Sequence, residues 1–422
     1  MTKLRKVLTL GICLLWIHQT QAQFTLSGEF RPRAEYRRGY KTLAAENQDP
    51  AFFVEQRTRV NMNLAQEEYE FKVVFQDIRV WGSQSQLVKN DGALTTLHEA
   101  WGAVKMGENS RFKIGRQEII LDDHRMFGNV GWAQQARSHD ALIFETNTEK
   151  FSMKLAGAYN QEVAQINTSF YTVPNSYKAL QFAWIKQKFD SFNASVLFLN
   201  NGKQGGVLGD SRTYFGQTIG TRFDFTKGAL RPGGNIYVQR GKDADGTKIN
   251  ALEYSLELNY SITEKTKLTA GMEYLSGNSE VSNSGENQAF NPLYGTNHKF
   301  NGFMDYFYVG NHAKSVGLQD VFVKVKTKIG KVGSQADVHF FSSAADILDP
   351  ETSAAANSYL GTEVDLVINY QSSADVNLKV GYSQMFGTDS MELLKGGSSS
   401  VTNNWGWVML TIKPTFFTSA KG

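Results

Sequence analysis

From Phe24 onward the chain alternates: Phe24, Leu26, Phe30 and Ala34 fall at one parity, and Glu29, Arg31, Arg33, Glu35 and Arg37 at the other. A β-strand sends those two sets to opposite faces. An ordinary half-buried strand alternates too, but here the polar face is dense in arginine and carboxylate. The pattern recurs along almost the whole chain with no long helical period between, which points to a barrel with a charged interior.

In the second such segment Val54, Gln56, Thr58, Val60, Met62 and Leu64 oppose Glu55, Arg57, Arg59, Asn61 and Asn63, and in the third Tyr69, Phe71, Val73 and Phe75 oppose Glu68, Glu70, Lys72 and Gln76. Further segments, among them Phe303–Val309, Asp320–Lys328, Val376–Met385 and Trp405–Lys413, bring the expected total to about eighteen strands. Bacterial single-chain barrels have even strand numbers. Roughly 400 residues shared among eighteen strands leave roughly 22 each, enough for a membrane span, a short turn and a longer loop. Thr263-Glu264-Lys265 and Lys331-Val332-Gly333 suit periplasmic turns, and 277–288 and 346–357 suit outward loops. The expected fold class is all-β: one large antiparallel transmembrane barrel, a single domain over residues 23–422, since a closed barrel cannot be cut without exposing edges. A mean hydropathy of −0.36 does not oppose this, because only every second residue of such a strand faces lipid.

The start of the chain says where the barrel goes. Lys3, Arg5 and Lys6 precede the apolar run Val7 to Ile17, and Thr20-Gln21-Ala22 offers a small-x-small cleavage site, so residues 1–22 are expected to be a secretory signal. The only cysteine, Cys13, lies inside that run after Ile12, which a lipobox does not tolerate, so the mature chain has no disulfide or thiolate chemistry. The chain has 44 basic and 41 acidic residues, and removal of Lys3, Arg5 and Lys6 leaves 41 against 41. A near-neutral mature protein gives no reason to invoke nucleic acid. The end of the chain, Trp405 to Phe417, alternates apolar and aromatic residues and closes on phenylalanine. It resembles the C-terminal signature by which outer-membrane barrels are assembled, except that Thr418 to Gly422 follow it.

Charged residues cluster at Gly115-Arg116-Gln117, at Asp122-Asp123-His124-Arg125-Met126-Phe127-Gly128, then at Trp132 and Arg137-Ser138-His139-Asp140. A second constellation, Phe290 to Gly302 with Asp305 beyond it, contains Pro292-Leu293-Tyr294-Gly295-Thr296-Asn297-His298-Lys299-Phe300 and suits an ordered loop entering a strand. With the N-terminal arginine strand, these segments resemble the alginate export family of outer-membrane barrels over nearly the whole mature chain; the Pro-Leu-Tyr-Gly-Thr-Asn-His-Lys-Phe stretch is similar to the version in Bacteroidetes-type members. The resemblance implies a long monomeric barrel in the outer membrane of a Gram-negative bacterium. It further implies an electropositive, arginine-rich constriction that passes an anionic uronate polymer outward.

From their parity, Arg31, Arg33, Arg37, Arg57 and Arg59 share the polar face of adjacent strands, where planar guanidinium forks suit carboxylates. A row of them offers a polyanion many weak, equivalent contacts. The alternative is that they pair with Glu29, Glu35, Glu55, Glu68 and Glu70 and stiffen the wall. Arg116, Arg125, Arg137 and Asp140 match the family's motif positions and are the next candidates for the constriction. His298 and Lys299 either touch solute in an in-folded loop or are ordinary surface residues. Trp101, Trp132, Trp184, Trp405 and Trp407 suit interfacial girdles, with sugar stacking as the alternative. Asp122, Asp123, His124 and Asp140 lack a recognised metal-ligand spacing.

The expected function is passive, anion-selective passage of an alginate-like polyuronate or related organic acids, with direction set by the gradient and by periplasmic export or uptake partners. No cofactor is implied. A general or carboxylate-specific porin is the near alternative. An outer-membrane or secreted polysaccharide-degrading enzyme, or a sugar-binding protein, is the distant one: no Gly-x-Ser-x-Gly elbow, His-Glu-x-x-His or phosphate-binding loop is present.

Overall fold

The computed structural model of the protein describes residues 22–86 and 95–419. The signal segment expected over residues 1–22 lies, up to residue 21, outside the described residues. The strands are β1 (Gln23–Arg38), β2 (Ala51–Ala65), β3 (Tyr69–Val80), β4 (Thr95–Lys105), β5 (Ser110–Gln117), β6 (His139–Asn147), β7 (Phe151–Tyr159), β8 (Ala179–Lys188), β9 (Phe192–Val207), β10 (Asp210–Phe225), β11 (Leu230–Lys242), β12 (Lys248–Ser261), β13 (Thr266–Leu275), β14 (Leu318–Ile329), β15 (Val332–Ser342), β16 (Tyr359–Gln371), β17 (Val376–Gly387) and β18 (Asn403–Ile412, resumed as Thr415–Thr418). Each pairs antiparallel with its neighbours, and β18 closes on β1 through Ala34↔Val408 and Thr25↔Thr418. The result is a closed eighteen-stranded antiparallel barrel. Pro414, which has no amide to donate, breaks the last strand, and its carbonyl accepts from Gly28 N at 2.9 Å.

Parity sorts the two faces as alternation requires. On β1, Glu29, Arg31, Arg33 and Glu35 are buried inward, whereas Phe30 and Tyr36 are exposed outward. On β14, Val321, Val323 and Val325 face out, and Asp320, Phe322, Lys324 and Lys326 face in. Exposed aromatics such as Tyr69, Phe71, Tyr254, Tyr260, Tyr370 and Tyr382 stand on the outer face. The tryptophans do not: Trp101, Trp184, Trp405 and Trp407 are buried on inward parities and Trp132 belongs to an inward loop, so none of these five takes the outward place a girdle requires.

All connections at one end are short, such as 66–68, 106–109 and 330–331, and the long ones gather at the other. The apolar core lies inside the barrel at the long-loop end. There Leu275, Leu318, Phe341, Leu360, Met385 and Trp405, at the strand ends, pack against loop residues Ile119, Phe127, Tyr294, Met304, Tyr306 and Phe307. This overturns the strand expected at Phe303–Val309. Met304, Asp305, Tyr306 and Phe307 are buried on both parities, whereas a wall strand sends every second residue to lipid. Its amides are spent on inward carboxylates, Met304 N donating to Glu363 Oε1 at 2.8 Å and Phe303 N to Asp365 Oδ2 at 3.3 Å. The second constellation therefore continues as loop to residue 317 rather than entering a strand.

Candidate functional site

Two long connections, 118–138 between β5 and β6 and 276–317 between β13 and β14, fold into the lumen and narrow it. The reason is hydrogen-bond accounting: backbone drawn inside a barrel needs partners, and inward side chains supply them. Arg31 donates to the carbonyls of Gly131, Trp132 and Ala133 at 2.7, 3.1 and 3.2 Å and to Gln134 Oε1 at 2.8 Å. Arg33 donates to Trp132 O at 2.7 Å, and Arg57 to Ala133 O and Gln134 O at 3.3 and 3.2 Å. Their charges are met by the wall: Arg33 pairs with Glu35 at 2.7 Å and Glu55 at 3.1 Å, and Arg57 with Glu29.

Trp132 is the keystone of the first loop. The Arg33 guanidinium lies 4.2 Å from its ring centroid, His298 of the second loop stacks on it at 4.8 Å and 17°, and Trp405 and Trp407 meet it edge-on at 5.5 and 4.7 Å. Cation–π and aromatic contacts of this kind each add roughly 0.5–2 kcal/mol beyond area burial. His298 is itself held by Asp305, its Nδ1 lying 2.8 Å from Oδ1, while the Tyr40 hydroxyl donates to the other oxygen. Burial alone raises the Asp305 carboxyl; His298, Tyr40 and Lys41 together hold it below its ordinary range.

The other end of the first loop is tied across the barrel. Asp122 accepts from Trp184 Nε1 at 2.8 Å and Ser195 Oγ at 2.7 Å, and Asp123 from Arg222 at 3.0 Å and Asn235 at 2.7 Å. These adjacent aspartates are anchors, and among the described residues no cluster of His, Cys, Asp and Glu suits a metal ion. The two loops also bond to each other, Gly128 N donating to Tyr294 O at 2.8 Å and Arg137 to Gly295 O at 3.0 Å. A Cβ on Gly128 would stand 2.2 Å from Thr296 Oγ1, and one on Gly295 2.2 Å from Arg125 O, so glycine is required at both crossings.

The expected site residues thus separate into groups. Arg31, Arg33 and Arg57 are buried clamps. Arg37, pairing with Glu35 at 2.8 Å and lying 4.1 Å from the Tyr40 ring, and Arg59, donating to Gln76 at 2.7 Å, are half-buried beside them. Arg125 is buried against Glu273 at 2.8 Å and over Phe300, and it fastens the second loop through Asn301. Arg137 lies at the loop junction, where burial lowers its pKa. His298 is buried in the aromatic stack, whereas Lys299 is exposed, donating to Asp123 O at 2.8 Å beside a cavity of about 360 Å³. Arg116 and Asp140 are a correction. They pair at 3.0 Å on the outer face, sharing parity with the exposed Phe112, Ile114 and Leu142, and do not belong to a constriction.

Cations that the sequence reading did not single out face the remaining space. A cavity of about 460 Å³ at the long-loop end is lined by Lys203, Lys242, Lys314 and Asp243, and one of about 610 Å³ at the short-turn end by Lys326, Lys379, Lys413 and Asp375, together with the expected Arg31. The signal was available: in Val323-Lys324-Val325-Lys326 the lysines take the face opposite valine.

Solved structures share this fold. OccK9 (OpdG) of Pseudomonas aeruginosa superposes with a TM-score of 0.62, 10% identity, and 93% of this chain and 98% of that one covered. For OccAB4 of Acinetobacter baumannii the values are 0.61, 9%, 95% and 100%, and for the Pseudomonas aeruginosa outer membrane protein opdK 0.59, 10%, 94% and 99%. At such identities the likeness concerns the fold alone. No curated protein matches the chain. The model of one protein family, described as alginate export, matches residues 22–400.

Proposed function

Because this chain belongs to the alginate export family, we propose that its porin-like barrel is an outer-membrane channel of a Gram-negative bacterium, through which an alginate-like polyuronate or related organic acids diffuse passively. The observation that carries this reading is the charge beside the in-folded loops. At the long-loop end Lys203, Lys242 and Lys314 line the cavity with one carboxylate, Asp243, and at the short-turn end Arg31, Lys326, Lys379 and Lys413 line it with one, Asp375, although Lys314 also reaches Asp245 and Lys413 reaches Glu29 from outside the lining. Cavities lined by one sign of charge in low-dielectric walls concentrate the opposite ion. Chemistry at the solute has no part in this reading. The barrel acts alone as a monomer, and direction follows the gradient and whatever periplasmic proteins deliver or collect the solute.

The test is the reversal potential of refolded protein in planar bilayers under a salt gradient, with an oligouronate and a neutral glucan added in turn. Anion selectivity together with block by the oligouronate only is the expected result. Cation selectivity, or equal block by both sugars, overturns the proposal.

A further inference from the structure

The geometry points to a polyanion-capture site at the short-turn mouth of the barrel, formed by Lys326 of β14, Lys379 of β17 and Lys413 of β18, which takes the carboxylates of a uronate-bearing chain before it meets the loops. This rests on the proposed function and adds where, and from which side, the polymer first binds.

The cavity these residues line measures about 610 Å³, and its one carboxylate is Asp375. Between the cations the lining is neutral and hydrogen-bonding, with Gln335, Asn369, Asn377 and Thr411, as suits the hydroxyls of a sugar. Among the described residues no carboxylate lies within 4.0 Å of the Lys326 or Lys379 ammonium, and neither makes a hydrogen bond. Lys413 reaches Glu29 at 3.4 Å, yet its side chain is 60% exposed. Several inward arginines of the barrel are, by contrast, occupied: Arg31 by the first loop, Arg125 by Glu273, Arg222 by Asp123, Asp224 and Glu257, and Arg111 by Glu70 and Glu145. Lys326 feels the Asp337 and Glu257 carboxylates only at longer range, and Lys379 is neighboured by the like charges of Lys413 and Arg31, so neither ammonium has a fixed contact partner and water or a bound anion supplies one.

Register fixes their arrangement. Lys326 stands opposite Gln335, Lys379 opposite both Asn369 and Met409, and Lys413 lies two residues beyond Thr411, the partner of Asn377. From β14 to β18 is four inter-strand steps, an arc of ~19 Å at ~4.8 Å per strand. A multiply charged chain can engage that arc at several points at once; a single carboxylate cannot. Lys326 is three residues from the end of β14, and Lys379 three from the start of β17, so the site opens at the short-turn end, which in bacterial barrels is the periplasmic one. Arg31, which lines this cavity, also holds the first loop through Gly131 O, so a chain captured here lies next to the narrowed passage. Lysine suits such a role, since a hydrated point charge on a flexible stem binds weakly and releases readily.

The experiment uses the whole protein inserted in one orientation in a planar bilayer, with a defined oligouronate added to one side at a time. For the native channel the blocking on-rate is expected to be higher from the short-turn side. In Lys326→Gln/Lys379→Gln that on-rate is expected to fall about tenfold and to lose much of its salt dependence, with the on-rate from the opposite side unchanged. Lys379→Arg, which keeps the charge, checks that the loss is electrostatic and is expected to keep the native on-rate. Anion selectivity and oligouronate block with a side-specific on-rate that the double variant leaves unaltered overturns the capture site while leaving the proposed function standing. Absence of both selectivity and block overturns the two together.

Discussion

Replacing Arg31 by methionine should free the first in-folded loop without unfolding the barrel, and the size of the effect follows from which partners are orphaned. Arg31 serves Gly131 O, Trp132 O, Ala133 O and Gln134 Oε1. Trp132 O keeps Arg33 at 2.7 Å and Ala133 O keeps Arg57 at 3.3 Å. The Gly131 carbonyl loses its Arg31 donor at 2.7 Å, and the Gln134 side-chain oxygen loses the two that reach it at 3.1 and 2.8 Å. Two charge-assisted interactions at about 1.5–3 kcal/mol each come to roughly 3–6 kcal/mol, and the thioether stem, packed in the same space, returns about 1 kcal/mol. A net loss of about 3 kcal/mol raises the population of the undocked loop about a hundredfold. Single-channel recordings should show larger conductance and frequent sub-states, and brief trypsin treatment should cut after Arg137. Arg31→Lys, a point charge that satisfies one carbonyl at a time, should fall between. Native conductance, native noise and native protease resistance in Arg31→Met would refute the view that this guanidinium holds the loop.

Arg125→Gln leaves Glu273 buried opposite a neutral group; at about 3–5 kcal/mol for a broken buried pair, the temperature of the heat-modifiable gel shift should drop by several degrees. Gly128→Val drives a side chain into Thr296, 2.2 Å from its Cβ position, and should part the two loops, seen as raised conductance with a native far-UV spectrum. The second loop should also loosen in acid. Burial depresses the pKa of His312 to about 3, its Nε2 lying 3.0 Å from Gly317 O and its Nδ1 3.3 Å from Lys395 Nζ. The folded form thus refuses a proton that the undocked loop accepts near 6.5. Docking is fully present above pH 6.5 and weakens by about 1.4 kcal/mol per pH unit below it. Conductance measured from pH 7.5 to 4.5 should rise on acidification, and His312→Phe should flatten the curve.

The barrel was legible because parity is a direct readout of which face a residue takes, and it held for β1 and β2 residue by residue. It failed where both faces of a segment are covered. Trp405 and Trp407 share a strand with the outward Val408, so apolar residues occupy both parities and nothing in the sequence says which set meets lipid. Met304 and Tyr306 alternate with Asp305 and Phe307 as a strand would, yet all are wrapped by the lumen. Arg116 and Asp140 were legible and misplaced: Phe112 and Ile114 share the parity of Arg116, which marks it as outward. The clamp role of Arg31, Arg33 and Arg57 was not legible, because it depends on residues 131–135 returning to the first two strands from about a hundred positions away.

That return separates the work of the two basic side chains. Every inward arginine clamp named above engages fixed oxygens with several donors, Arg57 with Glu29, Ala133 O and Gln134 O, Arg222 with Asp123, Asp224 and Glu257. A rigid fork is suited to holding something in place. The ammoniums of Lys326 and Lys379 hold nothing, and a mobile, strongly hydrated charge is suited to letting something pass. The distinction has a measurable consequence at Lys379. Arg there keeps the charge and so the capture rate, but its planar fork can bind a carboxylate in bidentate fashion; an oligouronate should therefore dwell several-fold longer in Lys379→Arg than in the native channel at equal on-rate. If dwell times are equal, charge alone sets the residence of the polymer, and the preference for lysine over arginine on this wall has some other origin.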